Sequence, residues 1–413
     1  FVRRLTFNLT GLPPTEEQIG QLSNPLATAE LIDQLLDSPH YGVRWGRHWL
    51  DVARFAESDG QESDKDRPHA FLYRDFVIQA FNQYMPFDQF VRWQIAGDEL
   101  APDLAEAIIA TGFLTAGTHS ELGEDFIEEE KLFNRYNELD DIVSTVGSGL
   151  LGLSLACARC HDHKYDAISS REYYRLLSAF HSGDRAETNL PDGRPALIFK
   201  DFDQTPRTTW YFRRADFYDR DQEVQLGFPA ILTLNTDADS YWQQVRAIHP
   251  DADSTLQRRA LAEWLVDLDQ GAGPLLARVI VNRIWQHHFG HGLVRTPSDF
   301  GVRGEAPTHP DLLEYLANDF VSHGWSIKRL HRLILNSSVW QQGQTIDHNM
   351  QLSLDPRSID PDNRYLWKMS PQRLEAEIIR DSMLAVSGTL NLDDGSGPSF
   401  KPYIPPEAYL DRN

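Results

Sequence analysis

One short motif in the sequence has residue types and a spacing that could do specific chemistry. The only two cysteines, Cys157 and Cys160, are three positions apart, and His161 follows at once to give C-x-x-C-H. Two thiols at this spacing can bond to the two vinyl groups on one edge of a haem, while the adjacent imidazole supplies an axial ligand to the iron. The motif therefore predicts one covalently bound haem c, with His161 as the axial iron ligand.

Two other interpretations of the cysteine pair stay open. A C-x-x-C pair also occurs in thioredoxin-like redox proteins, but there it opens a helix in a βαβ unit, and the pattern around Cys157 indicates helices without such a unit. The two thiols could also bind zinc together with His161 and His163, although adjacent ligands at Cys160 and His161 would crowd a tetrahedron. With zinc, the chain would be a non-haem scaffold or interaction protein.

The second axial ligand of the iron is not determined by the motif. A histidine or a methionine could fill that position, and each would set a different reduction potential. The methionines are Met85, Met350, Met369 and Met383. The histidine candidates are His48, His287, His288 and His309. For His48, a half-buried side chain bonded to a carbonyl group is the simpler alternative.

The elements that must position these residues are predicted to be mainly helices. Apolar residues at helical spacing predict a helix over residues 41–57, with His48 and Asp51 beside its apolar stripe. That stripe consists of Trp45, Trp49, Val52 and Ala56. A long helical element over residues 125–151 then leads through several glycines to Cys157. The haem motif is thus expected at the end of a helical region.

The composition and the hydrophobic periodicity of the sequence change twice along the chain. Residues 184–254 contain Pro, Gly and Asp clusters around short β-type runs at 208–212 and 230–234. Helical patterning then returns, and Ser370 followed by Pro371 predicts the start of a helix that ends near residue 386. We therefore expect a mainly α fold of two helical domains joined by a segment with a few short β-strands. The predicted boundaries are 1–183 for the haem-bearing domain, 184–254 for the linker region and 255–413 for a helical partner domain that is incomplete at its end.

Charge and hydropathy exclude two classes of partner. Lys and Arg number 39 against 61 Asp and Glu, which gives a formal net charge of -22. Such a chain is repelled by nucleic acid phosphates and by anionic membrane surfaces. No run of eighteen apolar residues is present, so no transmembrane segment is expected.

Long strings of the sequence are similar to a known pair of domains. The first set is RRLTFNLTGLPPT, SPHYGVRWGRHWLDVARFAESDG, YRDFVIQAFNQYMPFDQFVRWQIAGDEL and LACARCHDHKYDAI. The second set is ARVIVNRIWQHHFGHGLVRTPSDFGVRGEAPTHPDLLEYLANDF, LHRLILNSSVW and RLEAEIIRDSMLAVSG. The first set resembles the planctomycete-type cytochrome c family, and the second resembles the partner domain that usually follows it. The resemblance implies a periplasmic or cell-surface cytochrome that transfers electrons to a redox partner protein, within an oxidoreductase system for carbohydrates encoded near polysaccharide-handling proteins.

The resemblance also implies candidate site residues. His48, Asp51 and Arg54 match the family string R-H-W-x-D-x-A-R, and Asp59 lies in the S-D-G that follows. The matching residues of the second domain are His287, His288, Asp299, Arg303 and His309. If the iron kept an open position, His48, Asp51 and Arg54 would be candidate catalytic residues of a haem c-dependent oxidoreductase. His181 and His291 depart from the family pattern, so the resemblance does not support them as ligands.

Overall fold

The computed structural model describes residues 1–20, 25–61, 64–120, 122, 125–344, 355–392, 395–400 and 405. Most of these residues lie in α-helices, and two small two-stranded sheets occur near the middle of the chain. The predicted mainly α fold with a few short strands is therefore confirmed. No helix in the described ranges is long and apolar enough to cross a membrane.

The first part of the chain is helical up to residue 181. Its helices are α1 (Val2–Thr10), α2 (Glu16–Gly20), α3 (Pro25–Asp37), α4 (Pro39–Val52), α5 (Phe71–Asn82), α6 (Phe87–Leu100), α7 (Ala105–Ala110), α8 (Gly112–Thr115), α9 (Glu128–Thr145) and α10 (Ser170–His181). A π-helical turn (Val146–Leu151) continues α9, and a 3₁₀ turn (Leu155–Arg159) follows it. The C-x-x-C-H motif begins within that 3₁₀ turn.

Helix α4 positions several of the candidate residues. It begins after Ser38, whose hydroxyl accepts a hydrogen bond from the amide of His40 at 3.3 Å. It ends at Val52, because Arg54 takes a left-handed backbone conformation with φ 52° that an α-helix does not allow. The predicted continuation to residue 57 is therefore wrong, and Ala56 is exposed instead of lying on the buried stripe.

The middle of the chain holds the strands. β1 (Gly183–Asn189) and β2 (Pro195–Asp201) form one antiparallel hairpin, and β3 (Thr209–Phe212) pairs with β4 (Arg220–Val224). The strand predicted at 208–212 is confirmed by β3, but the one predicted at 230–234 is wrong. Residues Ala230–Leu232 form a 3₁₀ turn that is closed by a hydrogen bond from the Leu232 amide to the Pro229 carbonyl at 3.0 Å. An unpredicted helix, α11 (Ala238–Ile248), follows it.

The last part of the chain is again helical. Its helices are α12 (Gln257–Val266), α13 (Gly273–Phe289), α14 (Pro310–Ser322), α15 (Ile327–Leu335), α16 (Ser338–Gln341), α17 (Pro356–Ile359) and α18 (Ala376–Val386). The helix predicted to start at Pro371 starts five residues later. The hydroxyl of Ser370 accepts a hydrogen bond from the Asn363 side chain at 2.9 Å, so it does not cap a helix at Pro371.

Buried apolar side chains form one continuous cluster from Val2 to Met369. Within it, helices α4, α13 and α15 meet around Trp45, and α1 joins them through a hydrogen bond from the Asn8 amide to the His287 carbonyl at 3.1 Å. Elements from both predicted helical domains therefore share this part of the core. The exact domain boundaries stay a prediction.

Candidate functional site

One side of the segment Cys157–His161 packs against the protein, and the other side faces solvent. Ala158 is fully buried, while Cys157, Cys160 and His161 are all exposed. The guanidinium of Arg159 donates hydrogen bonds to Asp140 at 3.0 Å and to Asn137 at 2.6 Å, both on α9. The two residues between the cysteines therefore anchor the turn, which leaves both thiols free at the surface.

The carbonyl of Arg159 is also fixed, because it accepts a hydrogen bond from the hydroxyl of Tyr174 on α10 at 3.1 Å. A capping box at the start of α10, in which Ser169 and Glu172 bond each other's backbone and side chain, sets the direction of that helix. The motif thus lies between α9 and α10, on two rigid elements.

The imidazole of His161 has one nitrogen occupied and one free. Its Nδ1 lies 2.7 Å from the carbonyl oxygen of Asp162, an acceptor, so Nδ1 carries the proton. The lone pair is then on Nε2, which is the arrangement that a histidine needs in order to bind a metal through Nε2. Two free thiols and an imidazole in this state fit the attachment of a haem c.

In His163, the fourth ligand of the alternative zinc site, both ring nitrogens have hydrogen-bond partners. Its ring is buried, Nδ1 accepts a hydrogen bond from the Asp166 amide at 2.8 Å, and Nε2 lies 3.2 Å from the Ser154 hydroxyl. Both ring nitrogens therefore hold the loop after the motif. In the described residues, no group of three or more His, Cys, Asp and Glu side chains is arranged to hold a metal ion.

A second constellation, the histidine cluster, consists of His48, His287, His288 and His331 around Trp45. The rings of His48 and His287 are stacked with centroids 3.7 Å apart, and His288 Nε2 lies 2.8 Å from His331 Nδ1. The ring of Trp45 contacts all four imidazoles, with the closest centroid, that of His331, at 4.1 Å. The cluster joins α4 to α13 and α15.

The four imidazoles of the histidine cluster are neutral at pH 7. Burial lowers the pKa of His287 to about 4 and that of His288 to about 3, and it holds the pKa values of His48 and His331 well below their usual range. His288 Nδ1 and His331 Nε2 are buried and have no hydrogen-bond partner in the described residues. Because the rings stack on and bond to one another, the cluster is a packed contact between helices.

The candidate catalytic residues on α4 and just after its end lie in different environments. His48 is buried in the histidine cluster, whereas Asp51 is exposed. Arg54 donates two hydrogen bonds to Asp141 on α9, from Nε at 2.9 Å and from Nη2 at 2.6 Å. The Arg54 amide donates a hydrogen bond to the Asp51 carbonyl at 3.2 Å, but within the described residues no side-chain hydrogen bond, ion pair or ring contact joins His48, Asp51 and Arg54.

Two other acidic candidates stabilise backbone structure. Asp59 is buried and accepts a hydrogen bond from Arg67 at 2.7 Å. The guanidinium of Arg67 also donates to three successive carbonyls, and these are Thr115, Ala116 and Gly117. Asp299 accepts a hydrogen bond from the Gly301 amide at 3.0 Å within its own loop.

The candidate distal ligands lie in different parts of the fold. His48, His287 and His288 lie in the histidine cluster, and within the described residues no hydrogen bond, ion pair or ring contact connects that cluster to Cys157–His161. His309 lies elsewhere, with Nδ1 3.0 Å from the Thr308 hydroxyl and its ring against Tyr365. Among the methionines, Met369 is buried, Met383 is 69% exposed, Met85 packs against the core, and Met350 lies outside the described residues.

Sequence reasoning did not single out His331. Its position carried a signal, since His331 falls on the same face of α15 as the buried residues Ile327, Leu330 and Ile334. A histidine among apolar residues at helical spacing indicates a buried imidazole. His181 and His291, the two histidines that depart from the family pattern, lie in different environments. His181 is buried with Nδ1 2.9 Å from the Thr209 hydroxyl, whereas His291 is exposed after the end of α13.

An open groove of about 980 Å³ lies between the end of α6 and the β1–β2 hairpin. None of the site residues predicted from the sequence lines it. At its base, the buried guanidinium of Arg258 pairs with Asp98, Glu99 and Asp201 at 2.7, 3.1 and 3.0 Å. These carboxylates therefore stabilise the buried arginine.

Comparison with known proteins matches two parts of the chain to family models. Residues 1–185 match PSCyt2, a protein of unknown function (DUF1549), and residues 257–413 match PSD1, a protein of unknown function (DUF1553). No curated protein and no solved structure matches the chain. The two matches, in this order, are consistent with the cytochrome-like pair that the sequence resembles, and neither description names an activity.

Proposed function

We propose that this chain is a monohaem c-type cytochrome that transfers electrons, with the haem held by Cys157, Cys160 and His161. The observation that carries the proposal is the exposure of two free thiols and one imidazole on a single turn anchored from behind by Ala158 and Arg159. Bound there, the haem would supply a one-electron redox centre.

The residues of the chain have separate roles in this proposal. Cys157 and Cys160 would hold the haem through their sulfur atoms, and Nε2 of His161 would be the iron ligand, because its Nδ1 is bonded to the Asp162 carbonyl. Arg159 fixes the turn against α9, so the distance between the two thiols does not depend on a mobile loop. Attachment at the surface favours electron transfer to a partner protein, because a partner can approach the redox centre directly.

Location and partner follow from the cofactor and from the resemblance. The use of both cysteines for one haem c supports a location in the periplasm or at the cell surface, where haem c is attached. We propose a redox partner protein as the electron acceptor or donor, and a carbohydrate oxidoreductase system as the setting. Fractionation of the native host and a search for carbohydrate-dependent haem reduction test these two points.

The decisive experiment produces the chain in a host that attaches haem c to exported proteins. We expect an intact mass higher by one haem and a c-type haemochrome spectrum. The double variant Cys157→Ala/Cys160→Ala should lose the added mass. His161→Ala should change the iron spectrum, whereas His291→Ala, an exposed histidine after α13, should keep the spectrum of the unchanged chain.

An unmodified mass in a host that matures a control cytochrome would overturn the proposal. Zinc without iron in the purified protein would favour the scaffold interpretation instead. A six-coordinate low-spin spectrum in both redox states would count against a haem enzyme with an open iron position.

A further inference from the structure

A loop from the last part of the chain touches both flanks of the haem motif. This loop, residues 296–305, is named the Arg303 loop below. The amide of Phe300 donates a hydrogen bond to the carbonyl of Gly152 at 2.6 Å, and the amide of Val302 donates to Asp166 Oδ1 at 2.7 Å. Gly152 is five residues before Cys157, and Asp166 is five residues after His161. The loop therefore spans the motif from one side to the other.

The Arg303 loop is rigid and fits closely. The Thr296 hydroxyl donates to the Asp299 carbonyl at 2.7 Å and accepts from the Glu305 amide at 3.0 Å, which closes the loop on itself. A Cβ atom at Gly301 would lie 2.5 Å from the carboxylate of Asp166. A side chain at position 301 would therefore displace the Asp166 carboxylate, which accepts the Val302 amide. The Arg303 loop and the motif segment therefore pack closely against each other.

The Arg303 loop presents exposed side chains to solvent beside the motif. Val302 is 73% exposed, and Arg303 is also exposed. The guanidinium of Arg303 and the ammonium of Lys164 each lie 5.3 Å from the ring centroid of Tyr165. Neither cation forms an ion pair with a carboxylate in the part of the chain that the structure describes.

Arg303 and Lys164 lie over one ring and form no ion pair in the described residues, although acidic residues outnumber basic ones in this chain by 61 to 39. Lys164 and Tyr165 come three and four residues after His161. A haem carries two propionate carboxylates, and cations beside a carboxylate form strong charge-assisted hydrogen bonds with it. The porphyrin also presents a large apolar face, which an exposed aliphatic side chain can cover.

We infer that the Arg303 loop forms one wall of the haem site, in which Arg303 and Lys164 are the counter-ions of the haem propionates and Val302 packs against the porphyrin. This inference rests on the proposed function. It gives the PSD1-matched part of the chain a role at the cofactor that the PSCyt2-matched part attaches. Arg303 and Lys164 are positioning residues here, because they act on the redox centre through the propionates.

The test measures the reduction potential of the haem-loaded full chain. The variants are Arg303→Gln, Lys164→Gln and the double variant, with Arg246→Gln as the matched control. Arg246 is also an exposed cation over an aromatic ring, 5.2 Å from the centroid of Trp242 on α11. Covalent haem is measured first by intact mass for every protein, and the potential is then found by redox titration at constant pH and ionic strength.

Removal of positive charge beside the haem favours the oxidised iron, which carries one more positive charge than the reduced iron. For the double variant, we expect the ratio of oxidised to reduced protein to rise about ten-fold at the midpoint potential of the unsubstituted protein. This corresponds to a midpoint potential that is lower by about 59 mV for a one-electron couple. Each single variant should shift the ratio in the same direction by less, and Arg246→Gln should not shift it.

The outcomes separate this inference from the proposed function. Haem on the unchanged chain, with the double variant and Arg246→Gln at the same potential, would overturn the inference and leave the proposed function standing. No haem on the unchanged chain would overturn both. Loss of haem from the double variant, when its circular dichroism and the haem content of Arg246→Gln are unchanged, would support the inference.

Discussion

The histidine cluster should make the protein sensitive to mild acid. His288 and His331 are both fully buried, bonded to each other and neutral, and burial lowers the pKa of His288 to about 3. An unfolded histidine titrates near pH 6.5. Below that pH the unfolded chain binds more protons than the folded chain, so the free energy of unfolding falls as the pH falls.

The size of this effect follows from the pKa difference. Between pH 7 and pH 5, an unfolded histidine gains about 0.7 of a proton while a buried neutral one gains almost none, which costs about 2 kcal/mol per residue. His288 and His331 together should therefore account for about 4 kcal/mol of the stability lost over this interval. All other titratable groups are shared by the protein and a variant that lacks both imidazoles, so their contribution cancels when the two are compared.

The assay is reversible urea unfolding at pH 7 and at pH 5. The double variant His288→Phe/His331→Phe should lose about 4 kcal/mol less between the two pH values than the unchanged chain. Tyr41→Phe is the matched control: it removes a buried, unpartnered hydroxyl whose ring contacts His331, and burial raises the pKa of Tyr41 well above 10, so it does not titrate here. If the double variant loses as much stability as the unchanged chain, the two imidazoles are not held neutral and the argument fails.

Three further substitutions test the packing around the candidate sites, each by urea unfolding at pH 7. Trp45→Ala should cost about 3–5 kcal/mol, because it empties the centre of the histidine cluster, whereas Val386→Ala, at an 88% exposed position, should cost almost nothing. Gly97→Ala should destabilise the chain by more than about 2 kcal/mol, because the new Cβ would meet a backbone carbonyl oxygen of α7 at 1.8 Å. Its control, Gly20→Ala, has open space around the new Cβ and should be neutral or slightly stabilising. Arg258→Met should cost about 3–5 kcal/mol, because it leaves buried carboxylates without their cation, and a stability equal to that of the unchanged chain would show that these carboxylates are protonated.

Helical periodicity was a sufficient guide to the long elements. Helices α13, α14 and α15 lie in the region after residue 254 for which helical patterning predicts helices, since each carries an apolar face at regular spacing. The errors occur where one local interaction overrides that pattern. The left-handed Arg54 ends α4 early, and the bond between Asn363 and Ser370 removes the cap on which a helix at Pro371 depended.

The candidate site was predictable only in its local part. Cys157, Cys160 and His161 are adjacent in the sequence, so a motif is enough to identify them. The partners of this segment are not, because the Arg303 loop reaches it across more than 130 residues through backbone amides, which leave no mark in side-chain type. His331 likewise joins His288 across 43 positions, and only the fold brings the two rings together.

The two matched parts of the chain depend on each other structurally. The first contributes Trp45 and His48 to the histidine cluster, and the second contributes the other three rings. The same two parts meet again at the motif, where Gly152 and Asp166 accept the amides of the Arg303 loop. Because both contacts are buried or closely fitted, removal of either part would expose neutral imidazoles in one place and free the flanks of Cys157–His161 in the other. The turn that would carry the proposed haem therefore depends on the two parts together.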